Sequence, residues 1–405
     1  LQNLFFATLN QEMNTPQRPN NRTFRGEGRQ HYNITTLYRH KALFRDPDAA
    51  LARFANIPFL NGGLFECLDK PSEDGKVVRV DGFSDRDDVP LRVPNELFFG
   101  AEHEVDLNAT YGTSGKRYQA AGLITILQRY KFTVAENTPI EEEVALDPEL
   151  LGQVFENLLA AYNPETQTTA RKQTGSFYTP RPIVNYMVDE ALVAYLDEHL
   201  RQAARLSLAL SPNQLASLNA RLRGLMAYSE AEHGFGPDEV RHLIIAIDGL
   251  RILDPAAGSG AFPMGVLQKL VHVLGRLDPR NARWQARQIA KVRATLRSAE
   301  RIDDADVRDR TLAELEAQIG AITEAFERNE LDYGRKLFLI ENVIYGVDIQ
   351  PIAVQIAKLR CFISLVVDQR IDDARENRGV RPLPNLETKF VAANALIGIP
   401  RPTQL

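Results

Sequence analysis

Cysteine is nearly absent: Cys67 and Cys361 are the only two in 405 residues, and they lie far apart. That usage excludes a disulfide framework and a cysteine-built zinc site, and makes a reducing, cytoplasmic setting the expectation. Long apolar runs are also missing. None approaches the ~18–20 residues of a membrane span, and the N-terminus lacks the basic-then-apolar order of a signal peptide. Lysine is scarce, 11 residues against 37 arginines, and the net charge is −5. The basic balance of a simple nucleic-acid binder is therefore lacking, and any such role needs a local patch. There is no GxxxxGK[ST], which excludes an NTPase P-loop. An initiating methionine is lacking as well: the chain opens on Leu1 and stops on Leu405, so it reads as a piece of a longer polypeptide.

What is present is ordinary for a globular protein, with 44% hydrophobic and 25% charged residues. At ~100–200 residues per domain the length suggests two or three domains. Residues 1–145 read as an N-terminal, loop-rich and helical connector region. Within it, Arg18, Arg22, Arg25, Arg29, Arg39, Lys41 and Arg45 are opposed only by Glu27, with Phe24, Tyr32, Tyr38 and Phe44 interleaved. Such a stretch is either a nucleic-acid surface with stacking groups or an arginine-rich solvated loop. Asn61-Gly62-Gly63 signals a tight turn, and helical spacing marks Gly122–Phe132 and Asp147–Leu159.

Residues 146–405 carry the more informative pattern. Thr174–Leu196 is a short loop feeding a helix, whose entry is set by Pro180 and Pro182. The apolar run Leu250–Leu253 reads as a buried strand, and Phe338 onward as a second strand reaching Asp348. Lys389–Ala393 reads as a third, ending at Asn394. Between them, apolar residues in Arg280–Ala299 and Thr311–Arg328 step by three and four, which predicts an antiparallel helical hairpin inserted at 280–330. Arg280, Arg283, Arg287 and Lys291 lie opposite its apolar seam, as a DNA-phosphate contact or a solvated face.

Arg251–Leu267, RILDPAAGSGAFPMGVL, concentrates the chemistry. A strand ends at Asp254, a glycine turn follows, and an apolar helix begins. Glycines 258 and 260 permit close backbone approach to a ligand, and the helix start offers unpaired N–H groups. The final glycine of a dinucleotide fingerprint is missing, which disfavours a nicotinamide oxidoreductase.

Asp254-Pro-Ala-Ala-Gly-Ser-Gly-Ala-Phe262 resembles motif I of gamma-class adenine-N6 DNA methyltransferases. GSFYTP (Gly175–Pro180) resembles their motif X, IYGVDIQPIAVQIAKLR (Ile344–Arg360) motif II, and FVAANALIG (Phe390–Gly398) motif III. Together with the upstream FLNGGLFE and LGQVFENLL segments, the order is similar to restriction–modification proteins of the type IIG kind. The resemblance implies an α/β fold in which 146–405 is the first half of a Rossmann-like methyltransferase sheet binding S-adenosylmethionine. It implies that Asp254, Pro255, Ala256, Gly258 and Gly260 take the methionine end, with Phe177, Tyr178 and Thr179 closing over it and Phe262 lining the pocket. Asp348 would accept from the ribose hydroxyls, Ile349 would pack on the adenine, and Asn394 would read its edge. The family's catalytic Asn/Asp-Pro-Pro-Tyr/Phe motif does not occur in these 405 residues, so no catalytic residue is assigned here. No metal is implied. Duplex DNA with a flipped-out adenine is the expected substrate, and the rest of the polypeptide or a partner subunit is expected to complete the sheet. The alternative is a non-catalytic methyltransferase-like scaffold that binds DNA or partners within a phage-defence complex.

Overall fold

The computed structural model describes residues 2–26, 37–60, 70–71, 77–78, 94–111, 113–128, 179–206, 208–229, 231–301, 304–327 and 331–397. The Asn61–Gly63 turn, the Asp147–Leu159 segment and most of motif X lie outside these residues. The chain divides into two compact units, one of residues 67–150 and one combining 3–66 with 151–405. This differs from a cut near residue 145, because Asn3–Glu66 folds with the C-terminal part.

The smaller unit is built from short pieces. β1 (Lys70–Pro71) pairs antiparallel with β2 (Val77–Val78), and β3 (His103–Val105) with β4 (Tyr118–Ala120). Three brief helices, Glu96–Phe99, Asn108–Tyr111 and Leu123–Leu127, complete its described part. The last reaches only part of the expected Gly122–Phe132 helix; residues beyond 128 lie outside the described set.

In the larger unit, α1 (Gln2–Leu9) and α2 (Pro47–Ala55) flank a small aromatic cluster. Phe24 and Tyr38 form an isolated bridge, and Phe24, Tyr38, Phe44 and Phe54 meet edge-on or tilted at ring separations of 5.2–5.8 Å. The stacking-platform reading of Phe24, Tyr38 and Phe44 is thereby corrected: these rings are spent on each other. Arg22, 3% exposed, is not a surface cation either. Its guanidinium donates to the carbonyls of Thr8, Gln11, Phe54 and Ile57 at 2.5–3.2 Å. It thus supplies donors and positive charge where α1 and α2 end, where helix carbonyls lack partners. Within this unit the N-terminal segment is tied to the C-terminal part by Asn377, whose amide brackets Phe59 by donating to its carbonyl and accepting its N–H, and by Arg378, which donates to the Asn56 carbonyl.

Immediately before the sheet run α3 (Arg181–Leu206), α4 (Pro212–Met226) and α5 (Pro237–Gly249), in the numbering of this unit. Prolines at the first turn of α4 and α5, a capping box at Ser211/Gln214, and the Glu239 carboxylate accepting the Gly236 N–H at 2.8 Å set their starts. The sheet has three strands, S1 (Ile252–Asp254), S2 (Ile344–Asp348) and S3 (Phe390–Ala392), all parallel in that order. S2 begins later than expected, since Phe338–Asn342 closes a helix rather than opening the strand. Between S1 and S2 run α6 (Ala261–Leu277), α7 (Ala282–Ala299), α8 (Ala305–Glu327) and α9 (Leu331–Asn342); α10 (Pro351–Val366) follows S2. α7 and α8 form the expected hairpin, packed along each other.

Ile344, Gly346 and Phe390 point into a core shared with Leu267, Ala357 and Cys361. The opposite face carries Leu253 and Val391, 60% and 39% exposed. α3 lies against α6 at a point that only glycine allows: a Cβ on Gly265 would sit 2.5 Å from Val184 Cγ1. Beside it, buried Lys269 pairs with Asp189 at 3.0 Å and donates to the Met226 carbonyl at 2.8 Å.

The hairpin's basic stripe also has a partner. Buried Asp248, near the end of α5, accepts from Arg287 at 2.6 Å, from Gln288 at 3.1 Å and from Lys291. Arg283 donates to the Pro237 carbonyl. Arg287 is thus spent on Asp248 rather than on a phosphate or solvent, while Lys291, with its side chain 52% exposed, reaches the same carboxylate from a solvated face.

Two outcomes test these packing roles. Arg22→Met leaves four carbonyls without their donor and lowers unfolding stability by about 3 kcal/mol, read from the urea midpoint. Asp248→Ala frees α7, so trypsin cleaves within residues 280–297 on the order of tenfold faster, as read by timed digestion and mass spectrometry.

Candidate functional site

S1, S2 and S3 run parallel, so their carboxyl ends, at Asp254, Asp348 and Ala392, share one edge of the sheet. Open parallel sheets take ligands outside that edge. The turn from S1 into α6 is left-handed at Gly258 and Gly260, with φ of +53° and +88°. Those angles favour glycine, and at Gly260 space does as well. A Cβ there would lie 3.1 Å from the Ala357 Cβ.

Several backbone groups of the turn are tied to a neighbour. The Ala257 N–H donates to the Val347 carbonyl at 2.9 Å, and the Gly260 N–H to the Ala257 carbonyl at 2.8 Å. Gly258 donates its N–H to Asp348 Oδ2 at 2.8 Å, while Asp348 Oδ1 accepts from the Gln350 N–H at 2.8 Å. The Ser259 carbonyl accepts from Arg360 Nη1 at 2.9 Å. Beyond the turn, Ala261 and Phe262 open α6 with N–H groups that no intrahelical carbonyl can take.

The two carboxylates differ in how they are satisfied. Asp348 holds one N–H on each oxygen, leaving lone pairs for further donors. Asp254 Oδ1 accepts from the Ala256 N–H at 3.1 Å, but its Oδ2 is buried without a hydrogen-bond partner. Burial pushes the Asp254 carboxyl above the usual range. The Ala256 bond opposes this, and the Asp348 charge adds to the rise. A buried acceptor that lacks a donor carries a cost that a cationic or N–H-bearing ligand would relieve. The chemistry of the donor set fits S-adenosylmethionine, whose ammonium and ribose hydroxyls are donors.

The expected site residues fall into three groups. Asp254, Pro255, Ala256, Gly258, Gly260 and Asp348 are brought together around the turn. Ile349, 64% exposed, stands beside Asp348. Asn394 lies two residues past S3, exposed, with its Oδ1 engaged by the Leu396 N–H at 3.0 Å, which leaves the amide donor outward. Phe262 is partly buried and packs against the core. Thr179 sits just ahead of α3, with Pro180 accepting the first helical N–H groups; Phe177 and Tyr178 lie outside the described residues. Sequence reasoning missed Arg360 and Ala357, which shape the turn from α10. The available signal was a charge in a helix that is apolar around its circumference, since such a charge needs a partner.

With this geometry in place, similarity to known proteins can be weighed. The chain is 27% identical over 346 residues to a protein of Methanocaldococcus jannaschii whose name places it among type II restriction enzymes and methyltransferases. The match takes in 85% of this chain and 21% of that protein, so the chain spans about a fifth of its relative's length. No protein-family description and no solved structure matches.

Asp254→Asn keeps the Ala256 bond and removes the buried charge. Because the folded-state pKa of Asp254 is raised, its ionisation costs stability as pH rises through that value. The variant melts higher than the parent at pH 7, and the gap closes as pH falls below the ordinary carboxylate range, as read by thermal unfolding at several pH values.

Proposed function

We propose that this chain is the cofactor-binding part of a restriction–modification DNA methyltransferase that methylates adenine at N6. The observation that carries this is the unpartnered, buried Asp254 Oδ2 beside a glycine turn tied to Asp348 at the carboxyl edge of a parallel sheet. The similarity to a restriction enzyme and methyltransferase over most of the chain supports the same reading.

When bound, S-adenosylmethionine supplies a methyl group on a sulfonium, which an amine nitrogen takes in line as the S–C bond breaks and a proton leaves. This chain's residues bind and orient. Asp254, with Pro255, Ala256, Gly258 and Gly260, would hold the methionine end, with Thr179 contributing from just ahead of α3. Asp348 accepts from the ribose hydroxyls with the lone pairs that Gly258 and Gln350 leave. Ile349 offers apolar surface to the adenine ring, Asn394 presents its amide to the ring edge, and Phe262 backs the pocket from the core. Catalysis then rests on positioning. In the family that the motifs resemble, the polar and aromatic groups that grip a flipped target adenine come from an Asn/Asp-Pro-Pro-Tyr/Phe motif, which these 405 residues do not contain. The exposed Leu253 and Val391 fit further sheet and helices, from the same polypeptide or a partner, closing over the open face.

The absence of that motif from the 405 residues favours a second reading, a non-catalytic DNA- or partner-binding scaffold of a defence complex. Calorimetry separates the two. The chain binds S-adenosylmethionine, and Asp348→Ala weakens binding on the order of 10- to 100-fold. A longer polypeptide carrying the motif, given the cofactor and duplex DNA, yields N6-methyldeoxyadenosine on nucleoside mass spectrometry. No binding heat alongside intact DNA binding would instead favour the scaffold, and methylated cytosine would overturn the adenine assignment.

A further inference from the structure

Arg360 is 2% exposed, yet it carries a full charge in the middle of α10. Its Nη1 donates to the Ser259 carbonyl at 2.9 Å, across 101 residues of chain. One helical step away, Ala357 forms the wall against which Gly260 closes. Residues three apart share a helix face, so Ala357 and Arg360 present one surface to the underside of the turn. Ser259 stands between the two left-handed glycines, and its own side-chain oxygen is buried without a hydrogen-bond partner. Turning a carbonyl inward against a guanidinium fixes the peptide plane between Ser259 and Gly260, and with it the entry into α6. A side chain too short to reach it would leave that carbonyl buried and unpaired, and the turn free to take another shape.

We propose that Arg360 is a positioning residue for the methionine-binding turn: by holding the Ser259 carbonyl inward, it sets the backbone that receives the amino-acid end of the cofactor. This rests on the cofactor reading above and assigns no contact between Arg360 and the ligand. On that same reading, Asp348, Ile349 and Asn394 take the nucleoside end. The role therefore predicts a split between ligands that share the nucleoside and differ in the amino acid.

The test compares S-adenosylhomocysteine, which keeps the amino acid, with 5′-methylthioadenosine, which lacks it. Both are titrated calorimetrically into the 405-residue chain and its Arg360→Lys and Arg360→Gln variants, each well below its melting temperature. In Arg360→Gln, affinity for S-adenosylhomocysteine falls about tenfold and affinity for 5′-methylthioadenosine stays within about twofold. Arg360→Lys, which keeps the charge and a donor, falls between parent and Gln variant. Equal losses for both ligands would assign Arg360 to general stability and overturn the proposal, as would variants too unstable to titrate. A parent that binds both ligands and variants that bind them equally well would overturn Arg360's role while leaving the cofactor reading standing. A parent that binds neither ligand would overturn the cofactor reading itself, and this role with it.

Discussion

One hydrogen bond organises the centre of this protein: Gly258 gives its N–H to the Asp348 carboxylate at 2.8 Å. It joins the end of the first strand to the end of the second across a hairpin insertion and four helices. Strand pairing sets the two backbones side by side, but the turn beyond the first strand has no strand of its own to follow. The Asp348 carboxylate, with the Val347 carbonyl taking the Ala257 N–H, extends the second strand's reach over that turn. Arg360 and Ala357 then hold it from below. The glycine turn is thus shaped by the segment between Val347 and Arg360, as much as by its own glycines.

This arrangement separates the roles of the two carboxylates. Asp348 is surrounded by backbone donors and carries structure as well as offering lone pairs to a ligand. Asp254 is held by one N–H and keeps one buried oxygen unpaired, a state the fold tolerates at a cost. A site that binds a cation or an N–H donor needs such an oxygen, because a fully satisfied carboxylate would have little to gain from the ligand.

Elsewhere, buried charges act as fasteners between segments distant in sequence. Lys269 and Asp189 tie α3 to α6, Asp248 gathers Arg287, Gln288 and Lys291 to seat the hairpin, and Arg335 donates to the Asp278 carbonyl where the insertion leaves α6. Arg22 does the same for the N-terminal helices. Each charge meets an opposite charge or a carbonyl, which reduces the desolvation loss of burial, although Asp189 Oδ1, Arg287 Nη1 and Arg335 Nε keep no hydrogen-bond partner. The high arginine count fits this use, since a planar guanidinium can serve several carbonyls at once.

Local sequence was enough to place two strand ends, at Asp254 and Asp348, a third to within two residues of its end at Ala392, the glycine turn, and the α7–α8 hairpin. Each follows from short-range chemistry: apolar runs, glycine where φ is positive, and apolar steps of three and four. Asp254 stood out because it ends a strand just before a glycine turn, and Asp348 because it ends a strand within a segment that resembles methyltransferase motif II. The fate of the arginines was not legible in the same way. Whether Arg22, Arg287 or Arg360 meets water, a phosphate or a carbonyl depends on residues 14 to 101 positions away. Periodicity places such a side chain on a face of its helix, and only tertiary packing brings the partner that decides what the charge is for.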